Sequence, residues 1–182
     1  MLSGEIFDVN SGAFDNAKNI IIESSNITVR NVNTDGKISV VASEVILEDC
    51  KADMISVGAD SVVIRNCDAR IIELSGCTNA LLTQNAAQSI TLDGCFNCSV
   101  ILNTAQSIGC KNNTNIYVID NKIGSELRFE NNNYIIADGN DFAELCSEGN
   151  KNTNGNTLTD VDARPEFGAN EDILPHTNKE LF

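Results

Sequence analysis

Apolar residues fall into two short alternating runs that recur about every 18 residues along most of the chain. The first run alternates at Ile27/Val29, Val45/Leu47, Val62/Ile64, Ala80/Leu82, Cys98/Val100, Ile116/Val118 and Tyr134/Ile136. The second alternates at Ile20/Ile22, Ile38/Val40, Ile55/Val57, Ile72/Leu74, Ile90/Leu92, Ile108/Cys110 and Leu127/Phe129. Such alternation turns one side of a β-strand inward. Between the runs lies a ladder of Ala52, Ala69, Ala87 and Ala105, which suits a tight interior corner. The unit is plainest over residues 79–132, which are three consecutive 18-residue copies. Extended both ways, units start near Asp8, Asn26, Glu44, Ser61, Asn79, Asn97, Asn115 and Asn133, and only the Glu44 unit is short, at 17 residues. A fixed period of this size marks a solenoid whose units touch only their neighbours. Turns too brief for helices exclude βαβ units. The pattern therefore predicts an all-β protein, a single-stranded parallel β-helix of about seven to eight coils over residues 1–150.

The polar positions support this fold. Asn79, Asn97, Asn115 and Asn133 fall at one repeat position, and Asn85, Asn103 and Asn121 at another. Stacked side-chain amides hydrogen-bond along a solenoid axis, and Asn tolerates the left-handed backbone of sharp corners. Cysteine follows the same logic. Cys50 and Cys67 share one position of adjacent units, and Cys77 and Cys95 share another. They read as small buried hydrophobes, although coils about 4.8 Å apart also lie within bridging distance. The seven cysteines suggest no pairing scheme, and the single C-x-x-C at Cys95 and Cys98 lacks the second pair of a zinc site.

The inward pairs are separated by unequal gaps of roughly 11 and 7 residues, so the hexapeptide rule of left-handed β-helices fails. Phrases such as NIYVIDN (115–121), with their Asn-x-x-Ile-x-x-Asn spacing, resemble the right-handed parallel β-helix repeats of pectate lyase-like proteins. The resemblance covers about Asp8 to Asn150 and implies a right-handed coil. It says little about activity, because that fold hosts lyases, hydrolases, esterases, tailspikes and inert modules.

The two outward faces differ. On the second strand the outward residues are Ser39, Ser56, Glu73, Thr91, Gly109 and Arg128, an ordinary wet face. On the first they include Ile46, Val63, Leu81, Ile101, Tyr117, Ile119 and Ile135, more apolar surface than a monomer usually exposes. Either the C-terminal segment 151–182, which loses the period, straps this stripe, or a second copy of the chain covers it. The same segment is expected to cap the open end, with His176 as a surface or strap residue. The net charge of −14 argues against nucleic acid and anionic membrane as partners. No signal peptide opens the chain and no apolar run reaches membrane-spanning length. An extracellular site is expected if the chain belongs to a longer product, and a cytoplasmic one otherwise.

One repeat position before the second strand reads Asp35, Asp53, Arg70, Gln88, Gln106. Two stacked carboxylates disfavour joint ionisation, so one pKa should rise, as a general acid requires. The pair could also hold calcium. Arg70 could bind a sugar carboxylate bidentately, with Gln88 and Gln106 extending the substrate-binding row. A plain charge ladder on a wet surface is the alternative. Asn33-Thr34-Asp35-Gly36 resembles the Asn-Thr-Asp motif of the polygalacturonase family of glycoside hydrolases, and residues 38–58 are similar to that family's next coil. The resemblance implies Asp35 among the catalytic carboxylates and Asp53 in the family's Asp-Asp turn. Met54 replaces the second Asp, and Ala69-Arg70-Ile71 stands where the family has Gly-His-Gly, so the catalytic set is incomplete. The expected function is a carbohydrate-active or carbohydrate-binding β-helix module for pectin- or uronate-type polysaccharide. The competing class is a structural or assembly module, such as a tailspike or adhesin spacer, joined through the apolar outer stripe.

Overall fold

The computed structural model describes residues 5–8 and 17–151, so the segment expected as strap and cap, with His176, lies outside the described residues. Sixteen short strands and no helix make up the described chain. The odd-numbered strands are β1 (Glu5–Asp8), β3 (Ile27–Arg30), β5 (Ile46–Glu48), β7 (Val63–Arg65), β9 (Leu81–Thr83), β11 (Phe96–Ile101), β13 (Thr114–Ile119) and β15 (Asn133–Asp138). They form one eight-stranded sheet. The even-numbered strands form the other: β2 (Asn19–Ile22), β4 (Lys37–Val40), β6 (Lys51–Val57), β8 (Asp68–Ser75), β10 (Ala86–Asp93), β12 (Thr104–Lys111), β14 (Lys122–Glu130) and β16 (Glu144–Glu148). Each strand pairs in parallel with the strand two places on, as β8 does with β10 and β9 with β11. The chain is thus a parallel β-solenoid of about 7 turns.

The inward side chains of both sheets meet in one continuous core. Ile38, Leu47, Ile55, Ile64, Ile72, Leu82, Ile90, Ile108, Ile116, Leu127 and Phe129 are wholly buried. From Ser61 onward each coil turns at three left-handed residues, for example Asn97 (φ 53), Leu102 (φ 59) and Asn112 (φ 55), and the two coils before it at two. Asn and Gly fill most such corners because this backbone costs other side chains about 1–2 kcal/mol.

Inside two of the corners a polar ladder climbs the axis. Asn85 donates from its backbone N and its Nδ2 to Asn103 Oδ1, at 3.0 and 2.9 Å. Asn103 does the same to Asn121, and Asn121 to Asn140. The second ladder, Asn113–Asn132–Asn150, is hidden in the sequence by the Asn131-Asn132-Asn133 run. Cys50, Cys67, Cys77 and Cys95 occupy the same two corner slots in earlier coils and are buried, as expected, while Cys98 and Cys110 are buried strand residues and Cys146 is half-buried. Cys67 Sγ reaches Leu47 O and Arg65 O, and two coils later the Asn103 amide reaches the equivalent carbonyls, Leu82 O and Ile101 O. A thiol and an amide therefore do one job at one position. The outer row also stacks, with Asn97 Nδ2 donating to Asn79 Oδ1 and Asn115 Nδ2 to Asn97 Oδ1.

The last coil departs from the sequence reading. Ile116 pairs with Ile135 and Val118 with Ala137, so Ile135 and Ala137 point inward, while Ile136 is exposed and Tyr134 is not in the core. Tyr134, not Asn133, holds the left-handed corner after Asn115. The cause lies upstream. Ala105 pairs with Ile123 and Ser107 with Glu126, so one residue position opposes both Gly124 and Ser125. The extra residue shifts everything beyond it by one, and a one-residue slip exchanges the two faces of a strand. Ile135 therefore leaves the outer stripe and Ile136 joins it.

Candidate functional site

The even-numbered strands do not alternate throughout. Ala52, Ala69 and Ala105 are buried, yet the two residues after each point outward before inward alternation resumes at Ile55, Ile72 and Ile108. The ladder pairs Ala69 with Ala87 and Ile71 with Ser89 but skips Arg70 and Gln88. This phase change is a bend, and it opens a groove of about 610 Å³ with an alanine floor.

Asp35, Asp53, Arg70 and Gln88 all line that groove, as their shared repeat position predicts. Gln106 does not. Its side chain lies across the next coil, where a Cβ on Gly124 would sit 2.7 Å from Gln106 Oε1. Sequence reasoning missed Lys51, Asp68 and Thr104, which also line the groove. Their signal was available, for Lys51, Asp68 and Thr104 each immediately precede a member of the alanine ladder.

The Asn33-Thr34-Asp35-Gly36 turn has a local physical explanation. Thr34 is buried, donates from Oγ1 to Ala17 O and accepts from Gly36 N at 3.0 Å. A side chain at Gly36 would run into the Lys18 backbone, with a Cβ 2.1 Å from Lys18 O. Thr34 and Gly36 thus hold the turn, and Asp35 is left exposed at its tip.

Asp53 and Arg70 form the one bidentate pair in the groove. Arg70 Nε donates to Asp53 Oδ1 at 2.7 Å and Nη2 to Oδ2 at 2.9 Å. The Arg70 hydrogen bonds hold the Asp53 carboxyl below its ordinary pKa, and Asp53 in turn pushes Arg70 up. The expected rise is therefore not found at Asp53, because its neighbour on the next coil is a guanidinium and outweighs any effect of Asp35. Asp53 stays ionised, an acceptor and not a proton donor. Both its oxygens are committed to Arg70, and among the described residues no group of three or more His, Cys, Asp or Glu is arranged to hold a metal ion. Lys51 Nζ lies 3.9 Å from Asp68 Oδ2 on the next coil, a loose second pair along the groove.

The fold and groove define the chain as a parallel β-solenoid with an open polar channel along one bend. The chain matches no protein-family model, and comparison with curated proteins and with solved structures likewise finds no match.

Proposed function

We propose that this chain is a carbohydrate-binding solenoid that lays a pectin- or uronate-type polysaccharide along the bend groove and leaves it uncleaved. The observation that carries the reading is the bidentate Asp53–Arg70 pair. It holds a guanidinium plane in an open, alanine-floored channel, where a sugar carboxylate can compete for it through paired hydrogen bonds. Lys51, Asp68, Gln88 and Thr104 add donors and acceptors from successive coils. A row repeated at the coil spacing suits a polymer better than one small molecule. The same pair favours binding over cleavage. Inverting hydrolysis needs one carboxyl to give up a proton while another activates water, and Arg70 keeps Asp53 ionised. With no aromatic side chain lining the groove, affinity rests on polar contacts and falls with salt.

Co-sedimentation with an insoluble pectic polymer, with and without calcium, tests this reading. The wild type should be retained, Arg70→Gln should be retained several-fold less, and the supernatant should hold no released sugar. Equal retention of the two proteins would reject the groove as the site, and released sugar would make the chain an enzyme.

A second reading has its own observation. Ile46, Val63 and Leu81 share one outward register row of the odd-numbered sheet, and Ile136 is 41% exposed further along it. That face supports an assembly module in which a second copy covers the stripe. Sedimentation analysis of the intact chain separates the two, since a trimer that dissociates on Leu81→Lys favours assembly and a monomer favours the groove.

A further inference from the structure

A second opening lies on the same sheet, away from the bend. The outward row Ser56, Glu73, Thr91, Gly109, Arg128 is interrupted at Gly109, in the middle of β12. The interruption has no backbone cause. Gly109 is not among the left-handed residues, and a Cβ placed on it would meet only Thr91 Cγ2, at 3.9 Å. A glycine inside a strand weakens it, and often marks a site where a ligand or another backbone approaches closely.

What the missing side chain leaves is an open notch of about 500 Å³. Glu73, Thr91 and Asp93 border it from the preceding coils, Lys111 from the same strand, and Arg128 and Glu130 from the next coil. Arg128, Lys111, Glu130 and Asp93 are held in place. Arg128 donates to Glu126 Oε1 at 2.6 Å and to Glu130 Oε1 at 3.0 Å. Lys111 Nζ lies 3.3 Å from Glu130 Oε2, and Asp93 Oδ1 accepts from Asn112 Nδ2 at 3.0 Å.

The charges decide the ligand class. Arg128 is held by two carboxylates and Lys111 by Glu130 at 3.3 Å, whereas in the bend groove Lys51 stands 3.9 Å from Asp68, so a free anion finds no loosely held cation at the notch, and a free cation would face Lys111 and Arg128. A neutral ligand rich in hydroxyls meets fixed acceptors and fixed donors around one rim. Its flat C–H face can rest on the Gly109 floor, where any side chain would stand in the way. We infer that the Gly109 notch is a subsite for a neutral pyranose ring. This rests on the carbohydrate reading of the chain but uses a different site from the bend groove.

The test is a titration of the ¹⁵N-labelled full chain with cellohexaose, mannohexaose and an oligogalacturonate, for wild type, Gly109→Val and Gly109→Ala. At least one neutral hexasaccharide should shift the amides of Thr91, Gly109 and Arg128. Gly109→Val should weaken that binding by about tenfold or more while melting at or above the wild-type temperature, because a β-branched residue suits an open strand position. Gly109→Ala, with the smallest added group, keeps the comparison valid should Val disturb the sheet. Unchanged affinity in both variants overturns the notch. Shifts confined to Asp53, Arg70 and Gln88 on adding oligogalacturonate also overturn the notch but leave the groove standing. No shifts with any sugar would overturn both.

Discussion

Asn103 accepts from the backbone N and side-chain amide of Asn85, and donates to Leu82 O, Ile101 O and Asn121 Oδ1. Replacing it by Ala would strand the Asn85 N–H and remove the side-chain donor to Leu82 O, in a corner that is 1% exposed at Asn103. Buried groups left unpaired cost about 1–3 kcal/mol each, so Asn103→Ala should lose about 3 kcal/mol by urea denaturation. Asn97→Gly, which keeps the left-handed corner of the exposed row, should lose less than about 1 kcal/mol, since water replaces the partner. Similar losses would contradict the division into dry and wet ladders. Leu102 offers the opposite sign. It is 53% exposed and left-handed at φ 59, so Leu102→Asn should gain about 1 kcal/mol. Acid behaviour belongs to this scale too. The Arg65 guanidinium, 3.0 Å away, and the hydrogen bond from Arg30 Nε hold the Glu48 carboxyl below its ordinary pKa. Its contribution is fully present above the ordinary carboxylate range and is lost as pH falls through the lower folded-state value. The melting difference between wild type and Glu48→Gln should therefore be present at neutral pH and vanish at strongly acid pH. A difference independent of pH would contradict the ion-pair account. The outward Asn row was legible because its residues recur at a fixed period, and so was the first interior ladder. The second interior ladder was not, because the Asn112-Asn113 and Asn131-Asn132-Asn133 runs do not say which asparagine is inside.

Irregularity in the coils collects at one element, the bend of the even-numbered strands. Asp35 and Gly36 oppose the single residue Asp53 there, and Gly124 and Ser125 oppose the single Gln106. Strand interiors keep their register because a slip would turn Leu92 or Cys110 outward. The bend can absorb a residue because its side chains already face solvent. Removing Ser125 loses one backbone bond, from Ala143 N at 3.1 Å, and should cost about 1 kcal/mol. A glycine inserted between Ile90 and Thr91 should abolish cooperative unfolding followed by circular dichroism. Equal tolerance at the two sites would refute the register. The period made the strands, the alanine ladder and the short Glu44 unit legible. It failed at β15, where Tyr134, Ile135 and Ile136 are all apolar and the alternation alone does not say which face is inside.

For the whole molecule, the solenoid sets rows of like positions side by side, so surface character is decided row by row. One outward row is apolar at Ile46, Val63 and Leu81, and its neighbour is an ion-pair ladder of Arg30, Glu48 and Arg65. The core has no such choice. Ile64 is 0% exposed, and Ile64→Asp should yield no soluble folded protein, because the coil interior cannot solvate a carboxylate. The candidate site was legible as a row but not as a geometry. A shared repeat position brought Asp53 beside Arg70, whereas the bend that gathers Lys51, Asp68 and Thr104, and the Gly124 surface that draws Gln106 away, depend on backbone register. We propose that the groove binds an acidic sugar polymer through Arg70 without cleaving it. Calorimetric titration of oligogalacturonate into wild type and Asp53→Asn, with the spent mixtures analysed for shortened products, tests it most directly. The variant releases the guanidinium, so it should bind about tenfold tighter, with no products from either protein. Products made by wild type and lost in Asp53→Asn, or binding that the substitution weakens, would contradict the account.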